Sequence, residues 1–219
     1  MSKIAKRNTK AASLKMEACE TTCELVGPAT LESTPTASKT KEVFDTSFWP
    51  GRRLMLSNFN GRTLIHIREY VSMGDKEYPT KKGACFTPGR LSVLRGKIDE
   101  IDMMLLQQEV NASYNVTVGG EEPLYMAHLG AGIYASISEK YHGVSLRRYW
   151  MPEGQQAIIP TKNGIYLPAN QWIALKFKLD ELMATHPGLI DAVECINTHE
   201  GNQMGMIECR ECTPFGWLI

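Results

Sequence analysis

The chain has 219 residues, 43% hydrophobic and 22% charged, the composition of ordinary globular material. Lysine and arginine (24) balance aspartate and glutamate (24), so any anion site must come from where the charges sit rather than from their total. No uninterrupted apolar run approaches the ~20 residues that a membrane-spanning helix needs.

Residues 1–42 read as a disordered tail. Lys3, Lys6, Arg7, Lys10 and Lys15 lie in the first fifteen positions without an acid or an apolar h-region, so no secretory signal is expected. On that reading the cysteines at 19, 23, 85, 195, 209 and 212 stay reduced, and the sequons at Asn111 and Asn115 carry no glycan. Residues 28–41, PATLESTPTASKTK, have almost nothing to bury. The basic cluster is either a solvated leader or a polybasic arm for nucleic acid or nuclear import.

From Val43 the pattern changes. GRRLMLSNF reads as a strand, Asn60-Gly61 as a hairpin turn, and NGRTLIHIREY as the returning strand. Its alternation puts Thr63, Ile65 and Ile67 on one face and Arg62, Leu64, His66, Arg68 and Tyr70 on the other. A turn near Met73-Gly74-Asp75 and an extended run over Gly83-Ala84-Cys85-Phe86 follow. Thr87-Pro88 then reads as N-cap and first residue of one helix, with an apolar stripe of Leu91, Leu94, Ile98 and Ile101.

The same order returns. KKGACFTPGRLSVLRGKIDEI (81–101) lies over KNGIYLPANQWIALKFKLDEL (162–182), so that the stripe falls on Trp172, Leu175, Leu179 and Leu182. HIREYV (66–71) lies over SLRRYW (145–150), and FNG (59–61) over YHG (141–143). This is an internal duplication. The expected units are 43–106 and 121–183, with a connector at 107–120 and an extension at 184–219. Val116-Thr117-Val118 in the connector admits a strand reading instead. Each unit is marginal alone, so the two are expected to bury their helices and sheet edges against each other.

FNGRTLIHIREY, a variable hairpin, and KKGACFTPGRLSVLRGKIDEID together resemble the positive cofactor 4 (transcriptional coactivator p15) family of single-stranded DNA-binding proteins. The resemblance covers about residues 44–106. It returns more weakly over 124–183, which keep R-x-Y-W, K-x-G and the N-Q-W helix start. It implies an α+β fold of two ββββα units, each a four-stranded antiparallel sheet plus one helix, packed as an intramolecular pseudo-dimer. It further implies a nuclear protein that binds single-stranded DNA with little sequence preference, and that acts in transcription, replication or repair; the family works as a dimer, and two copies in one chain make a monomer the expectation here.

The resemblance makes the cationic face a phosphate track flanked by stacking rings. Arg62, Arg68, Lys81 and Lys82 would meet phosphates in the first unit, with Phe59 as the platform. Tyr141, Arg147, Trp150 and Lys162 are the matching positions in the second. Two departures stand out: Val71 replaces the family's tryptophan, and Gly143-Val144 stand where the second hairpin's cation is expected. Pro168 lies one residue early for the second helix, with Asn170 as a candidate cap. Phe59 and Tyr141 also read as ordinary sheet aromatics, and Arg62 and Arg68 as a solvated face. His66 reads as a polar ridge residue and Trp172 as core.

No cofactor and no metal are expected. Cys195-x3-His199-x9-Cys209-x2-Cys212 holds the zinc candidates, but its spacing is not that of a common finger, and reduced cysteines in a C-terminal extension are the competing reading. No hydrolase triad, glycine-rich phosphate loop or HExxH is found. Asp99, Glu100 and Asp102 read as solvated charges. The opposing functions are a protein-interaction scaffold and an RNA-binding module. Partners would be single-stranded DNA, RNA or melted duplex, and the transcription machinery, with no membrane.

Overall fold

The computed structural model describes residues 41–113 and 123–216. Residues 1–40 and Val116–Val118, read above as tail and possible strand, lie outside the described residues.

Period-two alternation is realised as two antiparallel sheets, each with its strands in chain order. The first holds β1 (Lys41–Trp49), β2 (Arg52–Phe59), β3 (Arg62–Met73) and β4 (Lys76–Phe86). The second holds β5 (Tyr125–Gly130), β6 (Ile133–Ser138), β7 (Tyr141–Trp150) and β8 (Ile159–Pro168). Helices α1 (Pro88–Gly96) and α2 (Ile98–Ser113) follow the first sheet, and α3 (Ala169–Thr185) follows the second. The architecture is thus α+β with two ββββα-like halves. No helix of the described residues is long and apolar enough to cross a membrane.

The single helix expected after β4 is two. Thr87 caps α1 by accepting the Arg90 N–H, and Pro88 fills the first turn. The chain then breaks at Lys97, whose N–H bonds back to the Leu94 carbonyl (3.0 Å). Gly96, a poor helix former, immediately precedes the break. Helix α2 continues through residues 107–113, which the sequence reading gave to the connector. Its polar end is held by tertiary contact: the Gln108 amide donates to the carbonyls of Ser138 (2.9 Å) and Glu139 (3.0 Å) on the β6–β7 turn. At α3, Pro168 rather than Asn170 occupies the cap position. Asn170 instead accepts the neighbouring Gln171 N–H (2.8 Å) from inside the first turn.

The duplication is visible in the register. Leu54 pairs with Ile67 and Ile67 with Ala84; Ala135 pairs with Leu146 and Leu146 with Ile165. A register shift interrupts β3–β4 between Arg68 and Tyr70, and β7–β8 between Arg147 and Tyr149. The Tyr70 N–H bonds the Gly51 carbonyl, as the Tyr149 N–H bonds that of Gly132, both at 2.8 Å.

The two halves share one core. Leu54, Ile65, Ile67, Phe86, Leu91 and Leu94 belong to the same buried cluster as Leu146, Ile165, Trp172, Leu175 and Leu179. The sequence reading paired helix stripe with helix stripe, but the dominant packing is helix on sheet. Helix α3 lies against β1 and β2 as well as its own β7 and β8, while α1 reaches β5, and α2 reaches β6 and β7. The helices meet through Asp102, which accepts the buried Trp172 indole N–H (2.7 Å) and pairs with Lys176. Glu100 accepts the Tyr125 hydroxyl (3.0 Å). Asp102 and Glu100 are therefore links between the halves rather than free solvated charges.

Beyond α3 the chain forms short 3-10 turns at Pro187–Leu189 and Cys195–His199 and a short helix, α4 (Gln203–Glu208).

Two outcomes follow from the shared core. Asp102→Ala leaves the indole N–H of a fully buried tryptophan without its acceptor, and should cost about 1–3 kcal/mol in urea unfolding followed by tryptophan fluorescence. Light scattering at micromolar protein should return the 24.5 kDa monomer; twice that mass would mean that the helices pair between chains.

Candidate nucleic-acid interface

With Leu54, Leu56, Ile65 and Ile67 turned to the core, alternation sends Arg53, Met55, Ser57 and Phe59 of β2 to the opposite face of the first sheet. There they meet Arg68, His66, Leu64 and Arg62 of β3 in register. Phe59 and Arg62 flank the turn, where Asn60 (φ 50°) and Gly61 (φ 75°) both take the left-handed conformation that a tight hairpin demands. Phe59 is half-buried and Arg62 exposed. Further along, the Tyr70 hydroxyl donates to Met55 Sδ (2.6 Å), and the Arg53 guanidinium lies 5.3 Å from the Tyr70 ring centre.

The lysines owe their position to a bulge. Arg68 pairs with Gly83 and Tyr70 with Pro79, so residues 80–82 stand opposite Glu69 alone. Residues 161–163 stand opposite Arg148 in the same way. Each bulge is closed by its threonine: Thr80 Oγ1 accepts the Lys82 N–H (3.1 Å), and Thr161 Oγ1 the Asn163 N–H (3.2 Å). The outcome is an exposed Lys81 and an exposed Lys162 beside Arg68 and Arg147. The glycines are required by the strand across from them, and at Gly83 the first clash of a Cβ is with the Ile67 carbonyl, at 2.9 Å. A Cβ at Gly83 would come within 3.1 Å of Arg68 Cγ, and one at Gly164 within 2.7 Å of Arg147 Cβ.

Charge pairing sorts the cations. Among the described residues, Arg62, Arg68, Lys81 and Lys162 have no carboxylate within ion-pair distance. Lys82 departs from the expected ridge: it pairs with Glu69 (3.2 Å), which also holds Arg52 and lies in register on the core side. Arg53, not singled out in the sequence, pairs with Asp45 (2.8 Å) and Glu77 (3.0 Å).

The second face is richer in rings. Arg147 stands across from Tyr134, and its guanidinium donates to the Thr161 carbonyl (2.7 Å) and the Ser145 hydroxyl (3.3 Å). Tyr134 lies between His128 (4.9 Å) and Tyr149 (5.1 Å), and Tyr141 contacts Tyr166 (6.1 Å). Burial, and then the neighbouring ring, raises the pKa of Tyr134 and of Tyr166, so both stay neutral donors. The sequence reading missed Tyr134, Tyr149 and Tyr166. Their signal was the alternation of IYASIS together with the register it implies.

Two equivalences need correction. The second hairpin turns at Glu139-Lys140, with Ser138 paired to Tyr141. Tyr141 therefore occupies the position of Arg62, and Ser138 that of Phe59. Gly143 and Val144 lie inside β7, paired with Pro168 and Leu167, and the turn cation is Lys140. FNG and YHG share a glycine for different reasons: Gly61 makes a turn, whereas a Cβ on Gly143 would strike the Leu167 carbonyl at 2.4 Å. Trp150 alternates to the side opposite Tyr149, paired with Ile159 and 48% exposed.

Away from both faces, the ligand atoms of Cys195, His199, Cys209 and Cys212 all lie within 4.8 Å of one another.

Residues 51–96, from the β1–β2 turn to the end of α1, match the family model described as Transcriptional Coactivator p15 (PC4). No curated protein and no solved structure matches the chain.

His66 supplies a pH test of the first face. Burial, and then the Arg68 charge, lowers its pKa to about 4, so the folded protein keeps it neutral, hydrogen-bonded to Ser57 (3.0 Å). Between about pH 6.5 and 4 the unfolded chain takes up a proton that the folded chain refuses, so stability falls as pH falls and is flat above. Denaturation at pH 7 and 4.5 should show wild type losing about 2 kcal/mol more than His66→Gln. Equal losses would mean that His66 is not held neutral.

Proposed function

We propose that the chain binds single-stranded nucleic acid, DNA foremost, with little sequence preference, and that it serves transcription as a coactivator or regulator, or replication or repair, in the nucleus. One observation carries this reading. Arg62 and Arg68, without carboxylate partners among the described residues, share the outward side of the first half with Phe59 and Tyr70; Arg147 recurs among tyrosines in the second, and the exposed Lys81 and Lys162 stand in the bulges next to the two arginines. An extended strand of nucleotides needs both features: cations spaced along its phosphates and rings on which unpaired bases stack. Arginine suits the task because its planar fork pairs phosphate oxygens and also stacks. Among the described residues neither face has the projecting helix or ribbon that reads a duplex groove, which favours unpaired strands.

The two faces divide the work unequally. The first is the more cationic, with Phe59 beside Arg62 at its hairpin. The second holds Tyr134, Tyr141, Tyr149 and Tyr166 around Arg147. A strand passing over both would be held mainly by phosphate contacts on one and by stacking on the other. The basic cluster before residue 16 would add phosphate contacts, and components of the transcription machinery are the protein partners this reading implies.

Binding of an unstructured oligonucleotide should weaken steeply with salt, with a log–log slope of about −0.7 per phosphate neutralised. Lys81→Ala and Arg68→Ala should each reduce that slope, whereas Phe59→Ala should weaken binding by about 1–3 kcal/mol with little change in slope. Circular dichroism checks that each variant stays folded. Binding indifferent to salt between ~50 and ~200 mM would sink the proposal. Preference for an RNA strand of the same sequence would move it to RNA, and no binding at all would leave an interaction scaffold.

A further inference from the structure

The segment after Leu189 is ordered without a core of its own. Among its described residues no hydrophobic side chain is fully buried, and Ile190, Val193, Ile196 and Met204 are exposed. Segments of this kind hold a defined shape when something other than apolar burial staples them.

Four soft donors converge in this segment. Cys195 opens and His199 closes the 3-10 turn, Cys209 caps α4, and Cys212 follows after two residues. Cys195 Sγ is 3.6 Å from His199 Nε2 and 3.6 Å from Cys209 Sγ, and all four donor atoms lie within 4.8 Å of one another. Zinc bonds of about 2.3 Å to sulfur and 2.0 Å to nitrogen give tetrahedral edges of about 3.5–3.8 Å. The two 3.6 Å separations match such edges, the remaining donor atoms lie within 4.8 Å, and the Cys195–Cys209 sulfur distance is far longer than the ~2.05 Å of a disulfide.

We propose that Cys195, His199, Cys209 and Cys212 bind one zinc ion, and that this ion fixes the C-terminal segment as a clamp across the two halves. Three sulfurs and an imidazole are a donor set for zinc rather than for magnesium or calcium. Four protein ligands leave no open position, so the site is structural. The clamp lies inside the ligand loop. Glu211, between Cys209 and Cys212, grips the guanidinium of buried Arg90 in α1 through both oxygens, at 2.5 Å each. Its carbonyl accepts the Ala131 N–H (2.8 Å) at the β5–β6 turn. Glu194, beside Cys195, accepts the Ser92 hydroxyl of α1 (3.3 Å). One ion thus orders a segment that touches the first half through α1 and the second through the β5–β6 turn.

The test uses the full chain. Elemental analysis of protein purified without chelator should find one zinc per chain. Replacement by cobalt should give the intense visible bands of a tetrahedral ion with thiolate charge transfer. Cys212→Ser should weaken cobalt binding at least tenfold, and chelation should lower the melting temperature of wild type but not of that variant. The cobalt titration of wild type stands whether or not the variant folds. Zinc-free protein that also gives no cobalt spectrum would overturn the proposal, as would iron in place of zinc or a Cys209–Cys212 disulfide in the freshly purified protein.

Discussion

Neither half covers the apolar face of its sheet with its own helices alone, and the rest of this structure depends on how that shortfall is met. Helix α3 lies over both sheets, while α1 and α2 reach from the first half onto the second. Leu54 and Ile67 of one half thereby share a core with Leu146 and Trp172 of the other. Because the inner faces are spent on each other, the outer faces are free to carry charge. The cations on Arg62, Arg68 and Lys81 are tolerable only there, since an ionised group inside the joint core would need a partner or lose its charge. Asp102, where the halves meet, has such partners in Trp172 and Lys176.

Joining the halves in one chain changes what evolution can do with them. The second contact becomes intramolecular, at an effective concentration set by the connector rather than by expression level. The halves can then diverge independently, which two identical subunits cannot. The halves keep one backbone frame, while their side chains differ on the inner and the outer faces. The bulges at Arg68 and Arg147, the facing glycines 83 and 164, and the backbone bonds from Tyr70 to Gly51 and from Tyr149 to Gly132 are kept in both halves. The hairpin tips are not: Phe59 and Arg62 on one correspond to Ser138 and Tyr141 on the other.

Much of this was legible in the sequence, and the misses have identifiable causes. Alternation in RTLIHIREY separated the core side from the cationic side, and the repeated apolar stripe announced the second helix. YPTKKG and IPTKNG recorded the shared bulge, though two lysines in a row hid the fact that Lys82 turns back to Glu69. The matching of FNG with YHG failed because a glycine letter does not distinguish a turn at φ 75° from a strand packed too closely for a Cβ. The end of α2 was unreadable locally because Gln108 is fixed by carbonyls thirty residues away. The tyrosines of the second face were overlooked because ring clusters are assembled by register, which a search for cations does not examine.

The same distinction between local and assembled information applies to the two acidic anchors. Glu211 is one of 24 acids in a neutral chain, and composition gives no reason to single it out. Its importance comes from being inserted between two cysteines whose sulfurs meet Cys195 and His199, and from facing an arginine that helix α1 has already buried. A guanidinium at 7% exposure cannot be left unpaired without a penalty of several kcal/mol, so α1 in this position presupposes the carboxylate that meets it. Asp102 stands in the same relation to Trp172, whose indole N–H is buried by the union of the halves. In both cases the union of the halves is sealed by an acid that answers a donor the packing has already taken out of water. The apolar pattern determines that the halves come together, and these paired polar groups determine the one arrangement in which they fit.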